Sequence, residues 1–135
     1  MINKIEEFGR NAGKVWEILE THVSLTQTNL MKNTKLKDDE FYAAIGWLAR
    51  ENKICKDGTV FKLGETNLTD KIGGDASKIW DVLRTYGDID TTYIQKLAEI
   101  PKKDMYSALG WLACEGKVKA KNVIPKKPQL CFGLK

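Results

Sequence analysis

The chain has 135 residues, of which 42% are hydrophobic and 30% charged, and its formal net charge is +4. This length suits one ordinary domain or two very small ones, and the composition is typical of a soluble globular protein. Its apolar runs are shorter than the roughly 18 residues of a membrane helix, and Glu6 and Glu7 stand where a signal peptide would be apolar. We therefore expect a cytoplasmic protein that does not contact membranes.

The few cysteine and histidine residues favour structural roles. Cys55, Cys114 and Cys131 are widely spaced and form no C-x-x-C pair, a pattern that disfavours disulfides and zinc sites. We interpret them as small, partly buried hydrophobes. His22 has no Cys or His partner nearby, and the sequence contains neither a phosphate-binding glycine motif nor a catalytic triad. We therefore predict a non-enzymatic protein without cofactor, metal ion or small-molecule substrate.

The sequence repeats itself at a spacing of 64 residues. Residues 9–53 and 73–117 align without a gap and share 16 identities in 45 positions. Many of the remaining pairs exchange one residue for a chemically similar one. The sequence therefore predicts two tandem domains and a short linker, at residues 1–65, 66–72 (the linker) and 73–135.

The first half of each copy contains two predicted helices. Apolar residues at helical spacing indicate the first helix, which we expect to begin near Asn11 in one copy and Asp75 in the other, since both residues are good N-caps. A short extended piece follows. Thr26 and Asp90 then cap the predicted second helix.

A third helix is predicted over about residues 38–51 and 102–115. It ends at Asn52 and Gly116, residues that adopt the left-handed conformation at helix C-termini. The apolar period then changes from 3.6 to 2, and an Asp57-Gly58 turn indicates a β-hairpin. The turn of the second hairpin is seven residues longer. This order predicts a mainly α fold with small β-wings, made of two tandem winged helix-turn-helix domains.

Two motifs resemble those of a known family. They are Ala-Gly-Lys-Val-Trp at residues 12–16 and Tyr-x-Ala-x-Gly-Trp-Leu-Ala-Arg-Glu at residues 42–51. Both are similar to a small bacterial and archaeal winged helix-turn-helix domain of unknown function. The second copy matches at most of the corresponding positions and departs at Ser77 and Cys114. The resemblance implies the fold, and through the fold class it implies nucleic-acid binding.

The outer face of the third helix is unusual for a base-reading helix. Phe41, Ala44, Ile45 and Leu48 form the predicted inward stripe, which leaves an opposite face of Asp39, Ala43, Gly46 and Arg50, or Lys103, Ser107, Gly110 and Cys114. A reader of bases would offer Arg, Asn, Gln or Lys at the centre of this face. A mid-helix glycine costs about 1 kcal/mol relative to alanine, so something is expected to approach closely. The candidates are a phosphate backbone, the third helix of the other copy or a second chain, and we favour a packed helix slightly.

Trp47 and Trp111 lie beside the inward stripe. We expect each to cover the rim of the core against the first helix, and the alternative is an aromatic side chain exposed at a domain or subunit interface. The candidate interface residues are therefore Ala43, Gly46, Trp47, Gly110 and Trp111.

The two copies differ in charge. Residues 1–70 contain 10 basic and 11 acidic residues, a net charge of −1, whereas residues 71–135 contain 12 and 7, a net charge of +5. In the first copy, residues 38–40 at the start of the third helix are all acidic and would meet phosphates in the standard docking. Lys102 and Lys103 stand at the equivalent place in the second copy. We therefore expect the second copy to carry any contact with nucleic acid.

The candidate nucleic-acid contacts belong to the third helix and wing of the second copy, namely Lys102, Lys103, Ser107, Lys119, Lys121, Lys126 and Lys127. Clustered lysines neutralise phosphates. The alternative interpretation is a solvated surface, and a net charge of +4 is too small to decide between them.

Two functions remain open. The first is a cytoplasmic protein that binds duplex DNA, of the transcriptional-regulator type, with the first copy as a pseudo-dimer partner. The second is a protein-interaction adaptor that docks a partner through the glycine faces or exposed tryptophans and does not bind DNA. Homodimerisation is compatible with both.

Overall fold

Both copies have the same order of elements in the computed structural model, which describes residues 3–122 and 130–135. The elements of the first copy are α1 (Lys4–Thr21), β1 (Leu25–Thr26), α2 (Gln27–Thr34), α3 (Asp38–Arg50), β2 (Ile54–Asp57) and β3 (Val60–Leu63). Those of the second are a π-helical turn (Thr69–Gly73), α4 (Gly74–Tyr86), β4 (Ile89–Asp90), α5 (Thr91–Ala98), α6 (Lys102–Cys114), β5 (Val118–Asn122) and β6 (Leu130–Leu134). The antiparallel sheets have the strand orders β1-β3-β2 and β4-β6-β5. The predicted fold class, α+β with two winged helix-turn-helix units, is confirmed.

Several local predictions are confirmed at the helix ends. The side chains of Thr26 and Asp90 accept hydrogen bonds from backbone N–H groups at the starts of α2 and α5. Beyond α3 and α6, Asn52 and Gly116 adopt left-handed φ angles of 59° and 71°. Among the described residues, no helix combines the length and the apolar character needed to cross a membrane.

The predicted start of the first helix is wrong in the first copy. α1 begins at Lys4, where the Asn3 side chain accepts a hydrogen bond from the N–H of Glu6 at 2.9 Å. Asn11 lies buried inside the helix and does not cap it. The predicted N-cap of the second copy is also wrong, since Asp75 is the second residue of α4, where it is buried and forms an ion pair with Lys71 at 2.9 Å. α1 extends further than expected because its first turns bury apolar side chains against the second copy.

The two wings are antiparallel hairpins. Asp57 pairs with Val60, so the first hairpin turns through Gly58 and Thr59, and Gly58 has a φ of +62°. In the second wing β5 pairs with β6 from Val118 opposite Leu134 onwards. Lys126 and Lys127, predicted as nucleic-acid contacts, lie outside the described residues.

Each copy has its own core, and each core includes a side chain from the other copy. The predicted inward stripe of α3 is buried, together with its counterpart in α6. Phe8 of α1 belongs to the core of the second copy, where its ring stacks on Phe132 at 6.1 Å between centroids. Ile72, the counterpart of Phe8 at the repeat spacing of 64 residues, belongs to the core of the first copy. The copies therefore exchange equivalent segments, the first turns of α1 and the π-helical turn before α4.

Candidate nucleic-acid interface

The outer faces of α3 and α6 pack against each other. Both helices run in the same direction, since Asp39 pairs with Lys102 at 3.5 Å near their N-termini and Arg50 pairs with Glu115 at 2.9 Å near their C-termini. The helices make close backbone contact where their small residues meet.

Two glycines allow this close contact. A methyl group on Gly46 would lie 2.7 Å from the carbonyl carbon of Ser107, and one on Gly110 would lie 2.7 Å from that of Ala43. Backbone carbonyl groups cannot move aside as the end of a flexible side chain can. Glycine is therefore required at both positions, and of the three candidates for the close approach the structure places the third helix of the other copy there.

This packing agrees with one expectation and corrects another. Ala43 and Gly46 are buried, as expected for the favoured packed helix. Ser107 was predicted to contact nucleic acid, yet it is only 8% exposed and lies in the same interface. Ser107 was assigned to nucleic acid because the helical wheel places it opposite the core of its own copy, and that face is the one α3 covers.

Trp47 and Trp111 lie at the edge of both cores. The ring of Trp47 packs over Gly9 of α1, where a methyl group would be 3.1 Å away, and that of Trp111 packs over Gly73, where the distance would be 3.3 Å. The guanidinium of Arg50 in the first copy lies 5.7 Å from the ring centroid of Trp111, so Trp111 also contacts the other copy.

Lys102 and Lys103 lie where the N-termini of α3 and α6 meet. They line an open cavity of about 490 Å³ together with Lys37, Asp38 and Asp39. The ion pair of Lys102 with Asp39 neutralises part of the positive charge. This end of the interface therefore has mixed charge and forms no purely basic surface.

The wing of the second copy presents a more regular basic surface, the lysine row. Lys117, Lys119 and Lys121 are exposed, and they alternate along the chain with the inward-facing Val118 and Ala120. Lys117 directly precedes β5, and side chains two apart on an extended chain share a face, so neighbouring lysines of the row are about 6.6 Å apart. β5 is an edge strand, so the lysine row is open to a ligand.

Acidic neighbours moderate the charge of the lysine row. Asp88 contacts Lys121 at 3.0 Å and Lys119 at 3.9 Å, and the hydrogen bond from Lys121 holds the pKa of Asp88 below its ordinary value. Lys117 pairs with Glu115 at 3.5 Å. Exposed pairs of this kind contribute little free energy, and a phosphate can replace the carboxylate.

The equivalent strand of the first copy lacks this row. Lys53 corresponds to Lys117, but Cys55 and Asp57 stand where the second copy has Lys119 and Lys121. The excess of lysines in the second wing was visible in the sequence and predicted a basic surface there. Their alignment on one face of an edge strand became clear only from the burial pattern of β5 in the structure.

The second copy also exposes more apolar surface. Tyr86 and Tyr93 are each 57% exposed, and Leu97 lies one helical turn beyond Tyr93 on α5. The corresponding residues of the first copy are polar, namely His22, Asn29 and Asn33.

No group of three or more His, Cys, Asp or Glu side chains in residues 3–122 and 130–135 is arranged to hold a metal ion. Burial raises the pKa of Cys114 to about 11, so this thiol remains protonated at neutral pH.

Sequence comparison agrees with the observed architecture. A family model described as a winged helix-turn-helix domain (DUF2582) matches the chain twice, at residues 1–62 and 67–127. The chain therefore belongs to this family and contains it as a tandem pair. No curated protein has significant sequence similarity to the chain.

Proposed function

We propose that this tandem winged helix-turn-helix protein is a non-enzymatic DNA-binding protein of the cytoplasm that holds the phosphate backbone through its second copy. The lysine row on β5 is the observation that carries the proposal. Winged helix-turn-helix domains are in general DNA-binding modules, and their wings approach the backbone beside the groove.

The burial of the helix faces determines how the DNA is held. The central residues of α3 and α6 pack on each other and are not available to base edges. Lysine contacts with phosphates position a protein on the duplex without reading its sequence. A role in transcription would then depend on DNA shape or on a partner for its choice of site.

A salt titration with duplex DNA of random sequence tests this proposal. We expect a dissociation constant in the range of about 1–100 μM at physiological salt, and affinity that falls steeply as salt is raised. The variant Lys119→Glu/Lys121→Glu removes two phosphate contacts. It should lower the slope of log K against log salt by about 2 and weaken binding to DNA of any sequence.

The matched control is Lys14→Glu/Lys32→Glu, which reverses two exposed lysines of the first copy. Both double variants change the net charge from +4 to 0, so they match in the total charge that is lost and differ in its place on the surface. The control should keep most of the affinity. Equal losses in the two variants would contradict the assignment to the wing, and no binding at about 50 mM salt would contradict DNA binding itself.

A protein-interaction adaptor is the second candidate function. The exposed side chains of Tyr86, Tyr93 and Leu97 favour it, because aromatic residues are enriched at protein interfaces. An adaptor predicts a stable protein partner and no salt-sensitive affinity for DNA, so the titration above distinguishes the two functions.

A further inference from the structure

An aromatic cleft lies between α4 and α6 on the second copy. Its volume is about 500 Å³, within the range of ligand pockets. Trp80 and Trp111 both line it, with apolar surface from Ala76 and Leu112. Its polar residues are Ser77, Asp81, Glu115 and Lys117.

Two arginines neutralise the carboxylates of the cleft. Arg84 lies 5.1 Å from the Trp80 ring centroid and pairs with Asp81 at 3.4 Å. Arg50 pairs with Glu115 and lies against Trp111 in the same way. Neither arginine lines the cleft itself. The cleft thus combines two indole rings with an electrostatic setting that tolerates an anion.

The cleft is continuous with the lysine row. Lys117 lines the cleft and is also the first lysine of the row, and Lys119 and Lys121 follow on the same face of β5. The spacing of about 6.6 Å between these lysines is similar to that of successive phosphates along one strand. A nucleic-acid strand lying on the row would therefore bring a base to the tryptophans.

We propose that the cleft stacks an unpaired base of a nucleic-acid strand whose phosphates lie along the lysine row. This inference rests on the proposed function and specifies its preferred ligand as single-stranded. Aromatic side chains next to a basic track are the usual means of binding single strands, since every base has a face that can stack. The mutual burial of α3 and α6 agrees with this mode, because it needs no helix in a major groove.

The test compares three fluorescent ligands, namely a thymidine oligonucleotide of about 12 nucleotides, an abasic strand of the same length and a duplex. The thymidine strand should bind about 5- to 100-fold more tightly than the abasic strand, since stacking acts on each inserted base. Trp80→Leu should remove this preference and leave the affinity for the abasic strand unchanged. The matched control Trp16→Leu, at the equivalent position of the first copy, should keep the preference.

A second variant avoids any loss of core packing. Ser77 is exposed and lines the cleft, so Ser77→Leu fills the cleft from its surface and should also remove the preference for the thymidine strand. Equal binding of the thymidine and abasic strands by the unmodified protein would overturn the inference, while salt-sensitive duplex binding would still support the proposed function. Failure to bind any of the three ligands would overturn both.

Discussion

The strands that follow the two third helices show where the copies differ. Both β2 and β5 bury their first residue, Ile54 or Val118, in the core of their own copy. Their outward positions have diverged, with Cys55 and Asp57 in one strand and Lys119 and Lys121 in the other. Side chains on the outward face lie outside the cores and form only exposed ion pairs, so they can change at little cost to the fold. Specialisation of the second copy is therefore confined to its surface.

At the contact between α3 and α6, in contrast, the two copies have kept the same residue. Gly46 and Gly110 are identical in the two copies, and each lies against backbone of the other. A change at either position affects both copies at once. The shared scaffold and the divergent surface can thus be tested separately.

The largest effect is expected at the segment exchanged between the copies. Phe8→Ala removes a fully buried ring from the core of the second copy and should lower the free energy of unfolding by about 3–5 kcal/mol. Val23→Ala, at a residue that is 94% exposed, should change it by less than about 0.5 kcal/mol. Chemical denaturation followed by circular dichroism and tryptophan fluorescence measures both. Because the cores share side chains, both probes should report one transition, and two separate transitions would show that the copies fold independently.

A smaller loss is expected at the helix contact. Gly46→Ala places a methyl group against the Ser107 backbone and should destabilise the protein by about 3 kcal/mol. Gly13→Ala is the matched control, since that glycine lies in α1 with open space around its Cβ position, and there alanine should stabilise the helix by up to about 1 kcal/mol. Measured by thermal or denaturant unfolding, the change in the free energy of unfolding should have opposite signs for the two variants. Stabilisation by Gly46→Ala would show that the helices can separate at little cost.

The smallest effect concerns the surface difference itself. Cys55→Lys/Asp57→Lys gives the first copy the lysine row of the second. If the lysine row carries phosphate binding, the slope of log K against log salt should steepen by up to about 2, with little change in stability. Cys55→Ser/Asp57→Asn controls for the loss of the original side chains without adding lysine. An unchanged slope in the lysine variant would show that the outward face of this strand does not determine DNA binding.

The fold was predictable because its signals are local. Helical spacing, the caps at Thr26 and Asp90 and the left-handed residues after α3 and α6 depend on neighbours in the chain. The start of α1 was missed because its stabilising contact, Phe8 with Phe132, joins residues far apart in sequence. No local pattern records such a contact.

The candidate site was predictable only in part, for the same reason. The glycines of the third helices indicated a close approach, but the sequence left three partners open. Ser107 looked like a surface residue because the wheel showed it opposite the core of its own copy, and the structure buries it under α3. The cleft was also missed, because Trp80 and Trp111 come from helices whose relative placement is a tertiary property.

The charges where α3 and α6 begin have a consequence for which partners can associate. Asp38 and Asp39 line the same cavity as Lys102 and Lys103, so acids of one copy face lysines of the other. If the first copies of two chains paired through this contact, carboxylates would face carboxylates. If the second copies of two chains paired in the same way, lysines would face lysines. Like charges at such a contact cost free energy, which discourages mispaired assemblies. The residues that neutralise one another within the chain therefore favour pairing of the first copy with the second copy over pairing of like copies from different chains.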